Sequence, residues 1–152
     1  MKTLINKIEL LSFISALIDT HISNSEEIIN SIEESIHSET KSTAGDKHDT
    51  TRELLHQERD KAAQNHKNQL MKRRTLIQLN NHQHSKKAGF GSLLHTNKGW
   101  VFIGISLGNI QFGNEEVLCI SPVSPIAKAL EGAVQEECVE FNSTSFMIDI
   151  IM

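Results

Sequence analysis

From Leu4 to Ile36, apolar positions return in alternating steps of four and three: Leu4, Ile8, Leu11, Ser15, Ile18, Ile22, Ser25, Ile29, Ile32 and Ile36. That spacing predicts a long helix with a coiled-coil seam. Two seam positions are serine, and from Asn24 onward the other faces carry Glu26, Glu27, Glu33 and Glu34. This half is apolar mainly on one side and expects a single partner helix. The first half differs, because Leu10, Phe13, Ile14 and Leu17 add a second apolar surface, which predicts packing on the C-terminal part of the chain.

Residues 47 to 82 hold no Gly or Pro and are rich in Arg, Lys, Gln, Glu, Ala and Leu, the composition of a second long helix. Its apolar seam is thin: Leu55, Ala62, Ala63, Leu70, Leu76 and Ile77 are interrupted by His66, Gln69 and Arg73. Packing must lean on small residues and on the aliphatic stems of long ones. At about 1.5 Å per residue, two helices of roughly 35 residues make an antiparallel hairpin about 50 Å long. Its turn is Gly45-Asp46-Lys47-His48-Asp49.

From Lys86 onward apolar residues come in short runs bounded by turn formers, and this part holds every glycine but Gly45, both prolines, both cysteines and the only tryptophan. Strands are expected at about 90 to 95, 100 to 106, 117 to 120, 138 to 142 and 145 to 151, with a short helix from Pro125 to Leu130. The fold class is α+β: an antiparallel helical hairpin over 1–82, a linker at 83–88, and a small antiparallel sheet domain with one helix over 89–152. A domain of about 65 residues can fold on a modest core.

The net charge of −4 is unevenly spread. Residues 1 to 45 carry three Lys and seven acids, residues 46 to 98 eleven Lys/Arg and five acids, and residues 99 to 152 one Lys and seven acids. The basic second helix could follow a nucleic-acid backbone, nascent RNA included; a solvated face balancing acidic neighbours accounts for it equally well. Cys119 and Cys138 lack CxxC spacing and suit a reducing compartment. Lys7, Glu9 and Asp19 interrupt the apolar N-terminus, no cleavage-type motif follows, and nothing reaches a transmembrane length, so the expected location is the cytoplasm and no membrane partner is expected.

Asp46 and Asp49 stand i and i+3 at a helix start, neighbouring positions where the helix N-terminus favours ionised carboxylates. The same pair also suits helix capping, with Asp46 as N-cap and Asp49 at N3. His82 and His84 fall where the second helix ends, without acidic or thiol neighbours and without zinc-site spacing. Trp100 at a strand start reads as core, and Ser121 and Ser124 beside prolines read as turn and cap residues.

With Phe90-Gly91-Ser92 opening the sheet domain, Ile120-Ser121-Pro122-Val123-Ser124-Pro125-Ile126-Ala127-Lys128-Ala129-Leu130-Glu131-Gly132 within it and Gly-Asp-x-x-acid at the hairpin turn, the chain resembles the Gre-type bacterial transcript cleavage factors. The resemblance implies an FKBP-like C-terminal domain that docks on bacterial RNA polymerase, with Ser124, Pro125, Ala127, Lys128 and Leu130 in its docking segment. It implies that a monomer inserts the hairpin into the polymerase's secondary channel. There Asp46 and Asp49 would help hold a Mg2+ ion of the polymerase's own active site and stimulate hydrolysis of backtracked RNA, so the protein is not itself an enzyme. Departures from the family pattern are Asp49 for a longer Glu, Lys47-His48 for Leu-Ser, and Glu136-Glu137 for Gly-Asp. A shorter arm and a nearby cation both weaken ion binding, which bears on cleavage more than on docking. Two other readings stay open: a secondary-channel regulator that does not cleave, and a dimer formed through the first helix.

Overall fold

A computed structural model describes residues 3–40 and 45–152, with the side chains of residue 40 and of residues 45–48 outside the description. The order is α1 (Lys7–Thr40), α2 (Gly45–Asn80), β1 (Leu93–Thr96), β2 (Gly99–Ile103), β3 (Gly108–Phe112), β4 (Glu115–Ile120), α3 (Pro125–Leu130), β5 (Cys138–Phe141) and β6 (Thr144–Ile151). The described residues form two compact units, Ser15–Arg73 and a second made of the residues up to Ile14 with Arg74–Met152.

In the first unit α1 and α2 pair. Asp19 meets Arg73, Ser25 meets His66 and Glu33 meets Arg59. Residue numbers rise on α1 as they fall on α2, so the helices are antiparallel, and each pair of numbers totals 91 or 92, so one register covers all three contacts. Ile18, Ile22 and Ser25 are buried on α1 and Gln69 on α2. These α1 positions are the expected seam. Nearer the N-terminus the seam is not followed: Leu4 and Ile8 are exposed, while Ile5, Leu10 and Ile14 are buried.

The second unit explains that change. Its six strands run in the order β3-β4-β2-β1-β6-β5, all neighbours antiparallel except β2 with β4. That parallel pair corrects the expectation of a purely antiparallel sheet. Leu94, Val101, Ile103, Ile120, Phe146 and Ile148 form a core with Ala127 and Leu130 of α3. The alternate side chains of β2 belong to the opposite face. There Leu79 of α2 lies so close over Gly104 that a Cβ at that glycine would come within 2.9 Å of Leu79 Cδ1. Phe13 of α1 meets Phe112 edge to face at 5.4 Å between ring centroids. The second apolar surface of α1 therefore packs on the sheet, and this packing selects Leu10 and Ile14 over Leu4 and Ile8 for burial.

Strand β3 was not expected. Its sequence, Gly-Asn-Ile-Gln-Phe, reads locally as a turn, yet at the sheet edge only Ile110 has to be buried. The β5–β6 hairpin turns on Asn142 and Ser143, both at positive φ (48° and 62°), the conformation of a two-residue type I′ turn. A bulge between His95 and Thr96 shifts the β1–β6 register. It lets both Ile148 and Ile151 join the α3 side although they stand three positions apart. Among the described residues, no helix is long and apolar enough to cross a membrane.

Neither cysteine is in a disulfide; Cys119 is buried and Cys138 exposed. Burial pushes the Cys119 thiol up to about 12 because a thiolate is poorly solvated in an apolar interior. Maleimide at pH 8 is therefore expected to label one thiol per native chain, Cys138, and two after denaturation; rapid native labelling of Cys119 would contradict the packing. A thiol whose folded pKa is raised contributes fully below its unfolded value. Between pH 9 and 12 that contribution falls away, because the unfolded chain ionises first.

Candidate functional site

The connection between α1 and α2 leads directly into the two aspartates. Helix α2 begins at Gly45, so Asp46 stands in its first turn rather than at the N-cap, and Asp49 is in the second turn rather than at N3. This corrects the capping assignment by two positions for each residue. The Asp46 side chain lies outside the described residues. Asp49 is 72 % exposed, and its Oδ1 lies 3.6 Å from the guanidinium of Arg52, one turn on. Among the described residues, Arg52 Nε is buried without a hydrogen-bond partner.

As a donor set, two acidic side chains on neighbouring turns supply hard oxygen ligands suited to Mg2+. They are too few to hold the ion alone. The solvent-facing Asp49 fits a role in completing a shell whose other ligands come from elsewhere. Arg52 is the charged neighbour of the pair that reading along the chain passed over, although acid and base at i and i+3 were visible in the sequence.

The second candidate region is the segment entering α3. Ser124 is its N-cap: Oγ accepts from Ala127 N at 3.3 Å and donates to Ser121 O at 2.7 Å, and Pro125 occupies the first turn. Ser121 Oγ accepts from Val123 N at 3.3 Å, which tightens the preceding turn. Ser121 and Ser124 are thus turn and cap residues. Of the five residues assigned to docking, Ala127 and Leu130 are buried against the sheet and cannot touch a partner; they hold the helix in place. Pro125 and Lys128 are exposed, next to Val123 at 72 % exposure. No family model, curated protein or solved structure matches the chain.

Beyond α3, Glu136 adopts φ 69°, a left-handed conformation that glycine takes without steric cost. Glu137 Oε2 accepts from Val134 N at 2.9 Å and closes the same turn. Substituting Glu136→Gly is expected to cost nothing or to stabilise by up to about 1 kcal/mol in a thermal melt, since relief of backbone strain opposes the greater freedom of the unfolded chain. A loss of more than about 1 kcal/mol would mean that the glutamate side chain itself is needed.

The remaining chemistry-bearing residues have structural surroundings. Trp100 is buried and stands edge to face with His95 at 4.7 Å. His95 Nδ1 lies 3.0 Å from Asp149 Oδ2, tying β1 to β6. Nothing local announces that pair, because 54 positions separate its members. His82 stacks edge-on against Phe90 at 5.3 Å. Among the described residues no group of three or more His, Cys, Asp or Glu is arranged to hold a metal ion.

Proposed function

We infer that the protein is a transcription elongation factor of the Gre type: residues 89–152, FKBP-like in fold, dock on bacterial RNA polymerase, and the α1–α2 pair enters the secondary channel. The observation that carries this reading is the antiparallel pairing of α1 with α2, whose connection opens directly onto Asp46 and Asp49. Further support comes from the docking segment, where a Ser-Pro pair caps a short helix and leaves Val123, Pro125 and Lys128 exposed beside it. The resemblance also gains from the turn after α3. Glu136, where the Gre pattern has Gly, keeps a left-handed backbone, and the carboxylate of Glu137, where it has Asp, closes the turn.

In this reading the protein acts as a monomer in the cytoplasm and brings carboxylates, not a complete active site. Asp46 and Asp49 would help hold a Mg2+ ion shared with the polymerase, the second of the two ions that phosphodiester hydrolysis uses, and that ion would supply charge at the reacting phosphate of the transcript. Asp46 and Asp49 add negative oxygen ligands to a shell the polymerase leaves incomplete, and the basic residues of α2 offer nascent RNA a counter-charge.

A second reading keeps the docking and drops the cleavage. It is favoured by the Asp49–Arg52 contact, which places a cation 3.6 Å from one of the two carboxylates, and by Lys47 beside Asp46. Adding the protein to a stalled polymerase complex separates the two. Mg2+-dependent shortening of the RNA supports rescue, suppression of the polymerase's intrinsic cleavage supports the regulator, and absence of polymerase binding removes both.

A further inference from the structure

We propose that α1 selects α2 of its own chain, and rejects a second copy of α1, through a heptad-spaced row of bases on α2 that reaches a matching row of acids on α1, keyed at its centre by the Ser25–His66 hydrogen bond. Judged by apolar content alone, α1 should prefer itself. Its seam offers Ile18, Ile22, Ile29, Ile32 and Ile36, whereas the corresponding row of α2 includes Arg59, His66, Gln69 and Arg73.

The register explains how so polar a row is accommodated. Arg59, His66 and Arg73 are spaced by seven, as are Asp19, Glu26 and Glu33. Positions whose numbers total 91 face each other across the seam, which sets Arg73 opposite Ile18, His66 opposite Ser25 and Arg59 opposite Ile32. The two arginines are long enough to pass the isoleucine and reach the acid one residue further on: Arg73 to Asp19 at 2.6 Å, Arg59 to Glu33 at 3.5 Å. Their aliphatic stems stay in the seam and their charges stay in water.

Histidine is too short for that reach. At its layer the isoleucine is replaced by Ser25, which is almost wholly buried. Ser25 Oγ donates to Ile22 O at 2.7 Å, so it must accept from His66 Nδ1–H, also at 2.7 Å. A serine in a row of isoleucines is therefore the complement of one particular histidine. Sliding the helices by a heptad would keep at least one of the two arginines near an acid, Glu26, but would set His66 against Ile32 or Ile18 in place of Ser25, removing its hydrogen bond to the serine. The charges thus choose the partner helix and the polar pair chooses the register, the division of labour that flanking charges and one polar core residue have in coiled coils. An antiparallel α1–α1 pair would set Asp19, Glu26 and Glu33 against acids, and a parallel one would give them no row of arginines.

The full-length chain tests this by charge reversal and rescue. The Arg59→Glu/Arg73→Glu variant is expected to self-associate at a concentration at least about tenfold below wild type in sedimentation equilibrium. Adding Asp19→Lys and Glu33→Lys is expected to return a monomer with a melting temperature near wild type. The proposal is overturned if the double variant stays monomeric with an unchanged melt, or if the fourfold variant remains dimeric or unfolded.

Discussion

Asp46→Asn and Asp49→Asn are each expected to lower stimulated RNA cleavage by about tenfold to a hundredfold while leaving polymerase binding unchanged. Asparagine keeps the size and the hydrogen-bonding oxygen of each side chain but not the negative charge that a divalent ion needs. Even outer-shell partners of a metal typically cost about 10–100-fold when altered, and a direct ligand should cost no less. Helix stability should fall by no more than about 1 kcal/mol, the contribution of an acidic charge near a helix N-terminus, since both residues lie in the first two turns of α2 and Asp49 is exposed. The comparison is made at saturating protein across a range of Mg2+ concentrations. A deficit at low Mg2+ that closes at high Mg2+ identifies ion binding. Wild-type cleavage by both variants would leave the carboxylates without a role in the chemistry.

The largest expected effect on stability comes from Phe102→Ala. The ring is completely buried in β2, on the sheet face that receives Leu79 of α2. Removing it combines lost transfer energy with a cavity, a loss of about 3–5 kcal/mol in comparable cores. Domains are stable by only about 5–15 kcal/mol in total, so the variant should unfold at far lower urea. Ile28→Ala, at a half-exposed position on α1, serves as the control and should stay within about 1 kcal/mol. A Phe102→Ala loss no larger than the control's would mean that the helices and the sheet do not share this core.

Legibility of the chain followed the physics of each element. Helix α1 could be read because periodicity over many turns is a cumulative signal, and Ile18, Ile22 and Ser25 are buried as their spacing required, while α2 was legible from its run of helix formers without Gly or Pro. Further toward the N-terminus two apolar stripes compete, and only the sheet, formed by residues remote in sequence, decides that Leu10 is buried and Leu4 is not. Strand β3 escaped notice because an edge strand needs one inward residue, Ile110, and its Gly-Asn start mimics a turn. The parallel pairing of β2 with β4 depends on that strand, which occupies the connection between them.

At the candidate site the same distinction holds. The aspartates were visible as residue types at a helix start, and the i, i+3 spacing of Asp49 and Arg52 was visible too, but that the two side chains meet is seen only in the structure. In the docking segment the sequence marked Pro125 to Leu130 as a helix, and the structure sorts it into an inner side, Ala127 and Leu130, and an outer side, Pro125 and Lys128. Ser25 illustrates the opposite lesson. It looked like a flaw in an apolar seam, and its purpose emerges only with His66 across from it.

The most direct test of the functional account is a photo-crosslink from position 53, on α2 one turn beyond Asp49. A photoreactive residue replacing Glu53 should capture the catalytic subunit of RNA polymerase within its secondary channel, and the RNA 3′ end in a backtracked complex. Capture that maps only to outer surfaces of the polymerase, or none under conditions where residues 89–152 are bound, would contradict insertion of the helical pair.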